Sequence, residues 1–355
     1  MVGGMNMSRA TAVKAYEANV IVSTEGLGHQ DWLNYRRNGI GGSDAAAIMG
    51  VSPFATARDL YFDKKNLKNQ NPNEEEENWV AKKVGHLLEE LVAEIFAKKT
   101  GLEVYPVHKM FQHPIYPFML ADVDYFIAFP DGTTGILECK TTNYNCKDKW
   151  DDNTIPQNYE YQVRHYMAVM NIDKAYIACL YGNNANEFII RKIERNALDE
   201  EELIQEEQYF WDEYVAKGVE PPYTERPDLV LKSLQEHIGA ASKGLPEMSL
   251  DKGLAKKVEK YLKLADNKKK LEVDKKRIEE EQKQLSIPII EELGKCCSAL
   301  IEDNGVKYNI TYNPTYRTSI KKEQLIKLKT LHPDIYDEFV DTSESRTFRV
   351  KKTAA

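Results

Sequence analysis

The chain has 355 residues, of which 42% are hydrophobic and 29% charged, a composition that excludes a largely disordered protein. No apolar run approaches the roughly 20 residues that a membrane-spanning helix needs, and residues 1–22 lack the layout of a secretory signal, so we expect a cytoplasmic protein with no membrane partner. The formal net charge of −8 argues against bulk coating of nucleic acid, but it allows a local basic lining.

The first informative segment is a glycine turn that follows a tryptophan-containing stretch. Gly39, Gly41 and Gly42 interrupt regular structure, and the apolar run AAAIMG begins directly afterwards. Ser43 or Asp44 is a suitable N-cap for a helix over that run. Because a helix N-terminus presents N–H groups without partners, the turn predicts a place where phosphate can bind.

Helical spacing and then strand-like spacing follow. Residues 79–100 carry apolar side chains at helical intervals, and Gly101 comes next, which predicts an amphipathic helix. Three short β-type runs then occupy residues 102–114, 118–129 and 134–142. Asp131 and Gly132, between the last two runs, predict a hairpin.

The pattern continues with alternating elements up to a proline-rich break. It predicts a helix over residues 159–171, strands over 174–182 and 186–194, and a long helix over 197–218. Pro221 and Pro222 end this series. The order of elements indicates a mixed α/β domain, which we assign to residues 1–245.

The composition changes after Pro246, where lysine and glutamate dominate. Leucine or isoleucine recurs every seven residues at Leu264, Leu271, Ile278 and Leu285, but the companion positions are mostly polar. We therefore expect a long solvated helix or helical hairpin that ends at Pro288, then a strand and a small helix over residues 321–333. Residues 246–355 form this predicted carboxy-terminal module.

An acidic and basic motif lies at the second and third β-type runs. On a strand, residues two apart share a face, so Glu138 and Lys140 point the same way while Cys139 points into the packing behind them. Asp124 is expected on the neighbouring strand. A hard divalent cation such as Mg²⁺ prefers carboxylate oxygens, and it can activate water for phosphodiester hydrolysis. A nearby lysine can position that water or neutralise developing charge.

These segments resemble the YqaJ-like phage recombinase nucleases, which are relatives of lambda exonuclease. The resemblance spans residues 23–166, extends to about residue 218, and follows four blocks in order, WLNYRRNGIGGSDAAAIMG, GHLLEE, ADVDYF with GILECKT, and YQVRHYM. It implies a PD-(D/E)XK nuclease core, in which a mixed central β-sheet is flanked by helices. The carboxy-terminal module would be a helical and small α+β extension of that core.

The resemblance implies metal-site roles for several residues. The family's metal aspartate matches Asp124, and Asp122 on the same strand face is the alternative ligand, since this chain has Tyr125 where the family usually has glycine. Glu138 and the main-chain carbonyl of Cys139 complete the first metal site. Glu89, four residues after a glycine, lies near a second metal through water, and its neighbour Glu90 faces elsewhere on the helix.

Further residues are implied to bind DNA or to assist the reaction. Arg36 and Ser43, seven positions apart, bind phosphate at the 5′ end, with Arg37 as the competing arginine. Gln162 matches the family's active-site glutamine, and its companion Tyr166, four residues on, contacts DNA or packs in the core. Together with Lys140, Asp124 and Glu138, Gln162 makes up the implied catalytic set.

The activity implied by the resemblance is a Mg²⁺-dependent 5′→3′ exonuclease, with Mn²⁺ as a substitute, on double-stranded DNA with a free end. It would generate 3′ single-stranded tails for phage-type homologous recombination in a bacterial cell. The family's habits imply a homo-oligomer, specifically a trimer, and a phage single-strand annealing protein as a partner. The alternatives are a structure-specific endonuclease of the same superfamily, a repair nuclease acting with a separate helicase chain, and a DNA-binding scaffold with a vestigial site.

The cysteines and histidines suggest no further site. The five cysteines show no C-x-x-C spacing, which argues against structural zinc, an iron–sulfur cluster and a disulfide framework. Cys296 and Cys297 are expected to be small buried thiols. His86, His108, His113 and His165 lack the spacing of a joint metal site and are expected to be ordinary surface or core side chains.

Overall fold

A computed structural model describes residues 16–67, 72–239, 244–316 and 319–340, with the backbone alone for 72–78. Residues 1–15, which carry most of the expectation about a secretory signal, lie outside this part of the chain. The described residues fall into two compact units, one within residues 1–239 and one within residues 240–355. None of the described helices is long and apolar enough to cross a membrane.

The first unit combines helices and strands throughout its length. Its elements up to the central hairpin are β1 (Asn19–Ser23), α1 (His29–Arg37), β2 (Ile40–Gly41), α2 (Gly42–Ile48), α3 (Ala57–Lys64), α4 (Pro72–Thr100), β3 (Glu103–Tyr105), β4 (Lys109–Gln112), β5 (Met119–Asp122), β6 (Tyr125–Ala128) and β7 (Thr134–Thr141). After a segment of 3₁₀ turns (Tyr144–Asn153) come α5 (Gln157–Met170), β8 (Lys174–Leu180), β9 (Phe188–Glu194), α6 (Ala197–Tyr209), a π-helical continuation (Phe210–Ala216) and α7 (Pro227–Ile238).

Two sheets, rather than one central sheet, organise this unit. One has four strands in the order β1-β4-β5-β2, and the other has five in the order β3-β6-β7-β8-β9. In the five-stranded sheet β7 and β8 are parallel, while the other neighbours are antiparallel. The predicted mixed α/β class is therefore confirmed, and so is the β6–β7 hairpin, in which Gly132 has φ +81°.

The predicted strand over residues 118–129 is wrong as a single element. It splits into β5, which pairs with β4 and β2, and β6, which pairs with β3 and β7. The break falls at Val123 and Asp124, and there the Asp124 carboxylate accepts the main-chain N–H of Cys139 at 2.9 Å. Since this N–H is bonded to a side chain, the hairpin ladder ends at the aspartate, which stands in a bend and not on a strand.

The five-stranded sheet is covered on both faces by helices. Leu137 and Cys139 of β7 join a buried cluster with Val92 and Phe96 of α4. Ile136, next to Leu137, belongs to the other cluster, which includes residues of α5. The strand period of two therefore directs Glu138 and Lys140 towards α5 and the Cys139 thiol towards α4, as predicted.

Several predicted helix ends differ in the structure. The amphipathic helix ends before Gly101, which has φ +73°, but it begins at Pro72 and is therefore longer than expected. Helix α2 begins at Gly42 with Gly41 as its N-cap, so the predicted caps Ser43 and Asp44 lie inside the first turn. Asp44 accepts the N–H of Gly41 at 3.0 Å. This bond reaches back to the residue before the helix, so the helix begins earlier in the chain than predicted.

The second unit has α8 (Ala255–Leu293), β10 (Ser298–Asp303), β11 (Val306–Thr311), α9 (Lys322–Leu331) and α10 (Pro333–Phe339), with a short 3₁₀ turn before α8. The prediction that Pro288 ends the long helix is wrong, because the helix continues to Leu293. Cys296 and Cys297 are exposed, contrary to expectation, since they join α8 to a hairpin whose strands are almost entirely solvent-exposed.

Candidate active site

Glu138 is the centre of a buried polar group between β7 and α5. Its side chain is 1% exposed, and one carboxylate oxygen, Oε1, accepts bonds from the Lys140 ammonium and from Gln162 Nε2, the latter at 2.6 Å. The other oxygen, Oε2, is buried and has no hydrogen-bond partner among the residues that the structure describes. A buried acceptor without a partner costs free energy, so this oxygen is suited to a ligand.

Asp124 approaches the same group from the bend before β6. Its bond to the Cys139 N–H fixes the carboxylate beside β7. Asp122, the expected alternative, is not on the same strand as Asp124, because it belongs to β5 in the other sheet. Its Oδ2 accepts a bond of 2.7 Å from Trp32 Nε1. The arrangement therefore brings the Asp124 carboxylate, and not that of Asp122, beside the strand that carries Glu138.

The carboxyl groups of this site repel one another. Burial raises the pKa of Glu138 to about 8, the nearby Asp124 carboxylate adds to the rise, and Lys140 opposes it. Burial likewise raises the pKa of Asp124 against the opposing effect of Lys140. Burial alone would lower the pKa of Lys140, but the two carboxylates outweigh that effect and raise it. The site is thus a cluster of carboxyl groups whose ionisation is disfavoured by burial and mutual repulsion, with Lys140 as the cation beside them.

Glu89 on α4 belongs to the same electrostatic group. Burial raises its pKa to about 7, and the Asp124 carboxylate contributes next. Its Oε2 lies 3.4 Å from Nδ1 of the exposed His86. Glu89 is half-buried and its neighbour Glu90 is exposed, so the two side chains point in different directions on the helix. Glu89 therefore stands at the edge of the site, where a second carboxylate ligand is expected.

The donor set fits a hard divalent cation in its chemistry. Three mutually repelling carboxyl groups and one buried carboxylate oxygen without a partner favour a cation with oxygen ligands. Within the described ranges, however, no three Asp, Glu, His or Cys side chains are gathered closely enough to hold one ion. Lys140 is the cation that contacts Glu138 here. The metal roles of Asp124, Glu138, Glu89 and the Cys139 carbonyl remain predictions.

A second polar cluster lies at the start of α2. Arg36 donates to the Ser43 hydroxyl and, at 2.7 Å, to Oδ1 of Asp44. Lys64 donates to the other oxygen of Asp44 at 2.7 Å and to the carbonyl oxygen of Arg36 at 3.2 Å. One buried carboxylate thus serves two cations, which leaves a formal excess of one positive charge beside the Ser43 hydroxyl.

Arg36 and Arg37 differ in their surroundings. Arg36 donates to Ser43, so the two residues that the resemblance implies as phosphate ligands lie together, and the Arg36 guanidinium lies 5.2 Å from the centre of the Trp32 ring. Arg37 instead faces Asp63, with Nε and the carboxylate 3.7 Å apart. Only Arg36 of the two is joined to the predicted serine.

Tyr166 lies between the two clusters. Its hydroxyl oxygen accepts a bond of 3.3 Å from Gln162 Nε2, as the spacing of four on one helix predicted. Its ring packs so closely on Gly42 that a Cβ atom at that glycine would stand 2.5 Å from the ring. Tyr166 is only 7% exposed, which favours packing over DNA contact for its role.

Asp44 and Lys64 were not placed by the sequence analysis in the polar cluster around Arg36 and Ser43. Asp44 was considered as a cap, although its position next to Ser43 could have marked it as a charge partner for Arg36. Lys64 ends α3 and gives no local signal, because its contact with Asp44 depends on how α3 packs. Burial alone would raise the pKa of Asp44. Arg36 and Lys64 outweigh that effect and hold this pKa well below its usual range.

The histidines behave as ordinary core and surface groups. His165 is fully buried and bonds Glu207 through Nδ1 at 2.8 Å and the Leu120 carbonyl through Nε2 at 2.8 Å. His113 Nδ1 accepts the N–H groups of residues 115 and 116. These bonds hold α5 and the loop before β5 in place. His86, by contrast, is exposed and lies at the edge of the site, with Nδ1 3.4 Å from Glu89 Oε2.

Comparison with known proteins gives one family and one full-length relative. The YqaJ-like viral recombinase domain matches residues 31–173. The uncharacterized protein YqaJ of Bacillus subtilis (strain 168) is 30% identical over 340 residues, which cover 95% of this chain and 98% of that protein.

Among solved structures, the fold is similar to that of LHK-Exo in complex with dAMP, with 19% identity, a TM-score of 0.44, and coverage of 53% of this chain and 93% of that one. LHK-Exo is described as an alkaline exonuclease from Laribacter hongkongensis. A phage related exonuclease from Haemophilus somnus 129PT is 14% identical, with a TM-score of 0.33, and covers 53% of this chain and 99% of its own. The near-complete match to YqaJ decides the assignment, and the chain belongs to the YqaJ-like viral recombinase family.

Proposed function

We propose that this protein is a Mg²⁺-dependent exonuclease that degrades one strand of double-stranded DNA from a free end in the 5′→3′ direction. In broader terms it is an enzyme, a hydrolytic DNA nuclease of recombination. The 3′ single-stranded tails left by this polarity are the substrates of phage-type homologous recombination. Mn²⁺ would substitute for Mg²⁺, because both favour oxygen ligands.

The observation that carries the proposal is the partnerless Oε2 of Glu138. It lies in a buried site beside Asp124 and Lys140. A structural ion pair would be expected to satisfy both oxygens, since leaving one buried acceptor unpaired costs roughly 1–3 kcal/mol. The unpaired oxygen lies at the position where family membership predicts a metal ligand. Sites that retain such a cost are candidates for function.

The residues divide the work as follows. Asp124, Glu138 and the Cys139 carbonyl would hold one cation, and Glu89 would assist a second. The chemistry that a cation held by these residues would supply is polarisation of the phosphate and a lower pKa for water. Lys140 donates to the attacking water or to the phosphate as negative charge develops. Gln162 holds Oε1 of Glu138, so the carboxylate presents Oε2 to the ligand.

The cluster around Arg36 supports a preference for DNA ends that carry a 5′-phosphate. A guanidinium can make two parallel bonds to phosphate, and the Ser43 hydroxyl adds another donor. Asp44 competes for Arg36, but Lys64 shares that carboxylate. Tyr166 joins this cluster to the carboxylate group through Gly42 and Gln162, so a terminal phosphate and a scissile bond could be held by adjoining parts of one surface.

Two partners follow from the family alone. A homo-oligomer, specifically a trimer, would keep the enzyme on one DNA end, and a phage single-strand annealing protein would receive the 3′ tail. Both proposals rest on what family members do. Digestion of DNA by the purified chain tests its nuclease activity and tests neither of these two proposals.

The test is Mg²⁺-dependent digestion of matched linear duplexes with a 5′-phosphate or a 5′-hydroxyl, beside closed circular DNA. Lys140→Ala is the inactive variant. Lys98→Ala is its control, because Lys98 lies on the exposed end of α4 and pairs only with Glu94 among the described contacts. Labels at each end report the polarity.

We expect loss of linear DNA alone, from the 5′ end, faster with 5′-phosphate, abolished by chelation and by Lys140→Ala, and unchanged by Lys98→Ala. Cutting of circles would replace the proposal with a structure-specific endonuclease. Binding of DNA without cleavage at any divalent cation concentration would replace it with a scaffold whose site is vestigial.

A further inference from the structure

Helix α8 carries an apolar stripe that faces solvent. Leu264, Leu271, Ile278 and Leu285 recur every seven residues and are 59%, 68%, 52% and 72% exposed. A spacing of seven keeps them on one side of a helix, as in the seam of a coiled coil. The stripe extends to Ile289, which is 41% exposed. Such a seam is costly in water and is suited to a partner helix.

The second unit has little core of its own. Within residues 244–316 and 319–340, Leu293 is the only apolar side chain that is buried. The hairpin β10–β11 is exposed along both strands apart from one half-buried residue. An isolated two-stranded hairpin is at best marginally stable, and a helix gains most of its stability from packing. The second unit is therefore a good candidate for completion by another chain.

The charges of α8 are sorted along its length. Residues 255–277 contain 10 Lys or Arg and 4 Asp or Glu, a net charge of 10 − 4 = +6. Residues 278–293 contain 1 Lys and 5 Glu, a net charge of 1 − 5 = −4. This order opposes the helix macrodipole, because Lys256 and Lys257 stand in the first turn and Glu291 and Glu292 in the last. A single helix is destabilised by such an arrangement, whereas a neighbour of opposite direction would relieve it.

We propose that α8 pairs with α8 of a second copy of this chain in antiparallel orientation. When Leu264 is placed opposite Leu285, Leu271 lies opposite Ile278, and residues 278–293 lie beside residues 256–271 of the other copy. The latter segment has 7 Lys and 2 acidic residues, a net charge of 7 − 2 = +5, against −4. Parallel pairing would instead align the two basic halves, and like charges would repel.

The seam includes polar positions that weaken it but are tolerated. Lys268, Lys275 and Gln282 alternate with the apolar residues. A lysine can lay its alkyl stem along an apolar seam and leave its ammonium in water. Polar seam residues usually lower stability and restrict the pairing register. The antiparallel pair is therefore specific, and its affinity depends on the four apolar layers.

Antiparallel pairing of identical helices has two-fold symmetry. It joins copies two by two, whatever assembly the first units form. Disrupting the stripe should halve the mass of the particle, from dimer to monomer or from any larger even-numbered assembly to half of it. The proposal concerns the second unit and does not depend on nuclease activity.

The test is sedimentation equilibrium of the full chain at micromolar concentration. The disrupting variant is Leu271→Asp with Ile278→Asp. The control is Val273→Asp with Ile287→Asp, two positions that are 62% and 60% exposed and lie about 200° round the helix from the stripe residues before them. We expect the disrupting variant to have half the mass of the unmodified protein and of the control. Tryptophan fluorescence should be unchanged, because all four tryptophans lie in the first unit.

An equal mass for all three proteins would overturn the proposal, and it would leave packing of the stripe within one copy as its replacement. Halving by both double variants would overturn it too, since the stripe would then have no special role.

Orientation is tested by cross-linking in a chain whose exposed Cys296 and Cys297 are replaced by serine. Leu264→Cys and Leu285→Cys are made in separate, co-expressed copies. Antiparallel pairing predicts a disulfide between the two kinds of copy and none between like copies, identified by mass spectrometry of the linked peptides. Links between like copies at position 264 would show parallel pairing and overturn the proposed orientation.

Discussion

Gln162 Nε2 stands 2.6 Å from Oε1 of Glu138, and this bond joins α5 to the strand that carries the candidate catalytic residues. It occupies one carboxylate oxygen, whereas Oε2 has no hydrogen-bond partner in the described part of the chain. A glutamine on α5 thereby fixes the orientation of the buried Glu138 carboxylate on β7.

We expect Gln162→Ala to lower nuclease turnover by about 10- to 100-fold, because a hydrogen bond to a charged group contributes roughly 1.5–3 kcal/mol. DNA affinity should change by less than about 3-fold, since Gln162 is 8% exposed and positions Glu138 rather than DNA. Turnover and binding are measured separately on 5′-phosphorylated duplex. Gln205→Ala on exposed α6 is the matched control, and equal turnover in the two variants would remove Gln162 from the reaction.

The two adjacent arginines should have separable effects. Arg36→Ala removes the guanidinium that holds Ser43, so the ratio of rates on 5′-phosphate and 5′-hydroxyl ends should fall about 10-fold, the usual scale of a charge-assisted contact. Arg37→Ala should leave the ratio unchanged, because Arg37 faces Asp63 instead. Because each ratio is measured within one variant, partial loss of folded protein cancels. An equal fall in both variants would contradict the assignment of Arg36.

Local periodicity was enough to place the reacting face of the site. The strand period put Glu138 and Lys140 on one face, and the helical spacing of four put Gln162 beside Tyr166. These predictions hold in the structure because each concerns residues within one regular element. The mixed α/β class was also predictable, since whole elements have a strong periodic signal.

Contacts between distant elements were not predictable in this way. The bend at Asp124 depends on its bond to the Cys139 N–H, and Lys64 joins Asp44 only because α3 packs near α2. Neither contact has a spacing that recurs along the chain. The continuation of α8 through Pro288 likewise shows that a local preference was overridden, since proline usually breaks a helix interior.

A close packing contact gives a stability prediction. Gly42→Ala would place a Cβ atom 2.5 Å from the Tyr166 ring and 3.0 Å from the Gln162 carbonyl oxygen, so α2 and α5 must move apart. We expect a loss of about 1–3 kcal/mol in the free energy of unfolding. Gly85→Ala is the control, because a Cβ there meets only Thr141 Oγ1 at an ordinary 3.7 Å, and it should be neutral or slightly stabilising. Chemical denaturation compares them, and equal stability would contradict the close packing.

Protonation of His113 should make the free energy of unfolding depend on pH in mild acid. It is 2% exposed, and burial first and then the charges of His165 and Arg195 lower its pKa to about 4. The unfolded chain, with an ordinary histidine pKa near 6.5, binds more protons between those two values. The free energy of unfolding should therefore be highest above pH 6.5 and fall by on the order of 2 kcal/mol as the pH drops to about 4.

Carboxyl groups also titrate in this range, so the His113 contribution is measured against His113→Asn. The asparagine oxygen can accept the N–H bonds of Ile115 and Tyr116 that Nδ1 of His113 accepts at 3.0 Å, but it takes up no proton. Chemical denaturation at several values between pH 7.5 and 4 gives both profiles. The variant should lose less stability towards acid than the unmodified protein, and the two curves should converge as the pH falls through 4. Parallel profiles would mean that His113 is protonated as readily in the fold as in the unfolded chain, and that the acid sensitivity arises elsewhere.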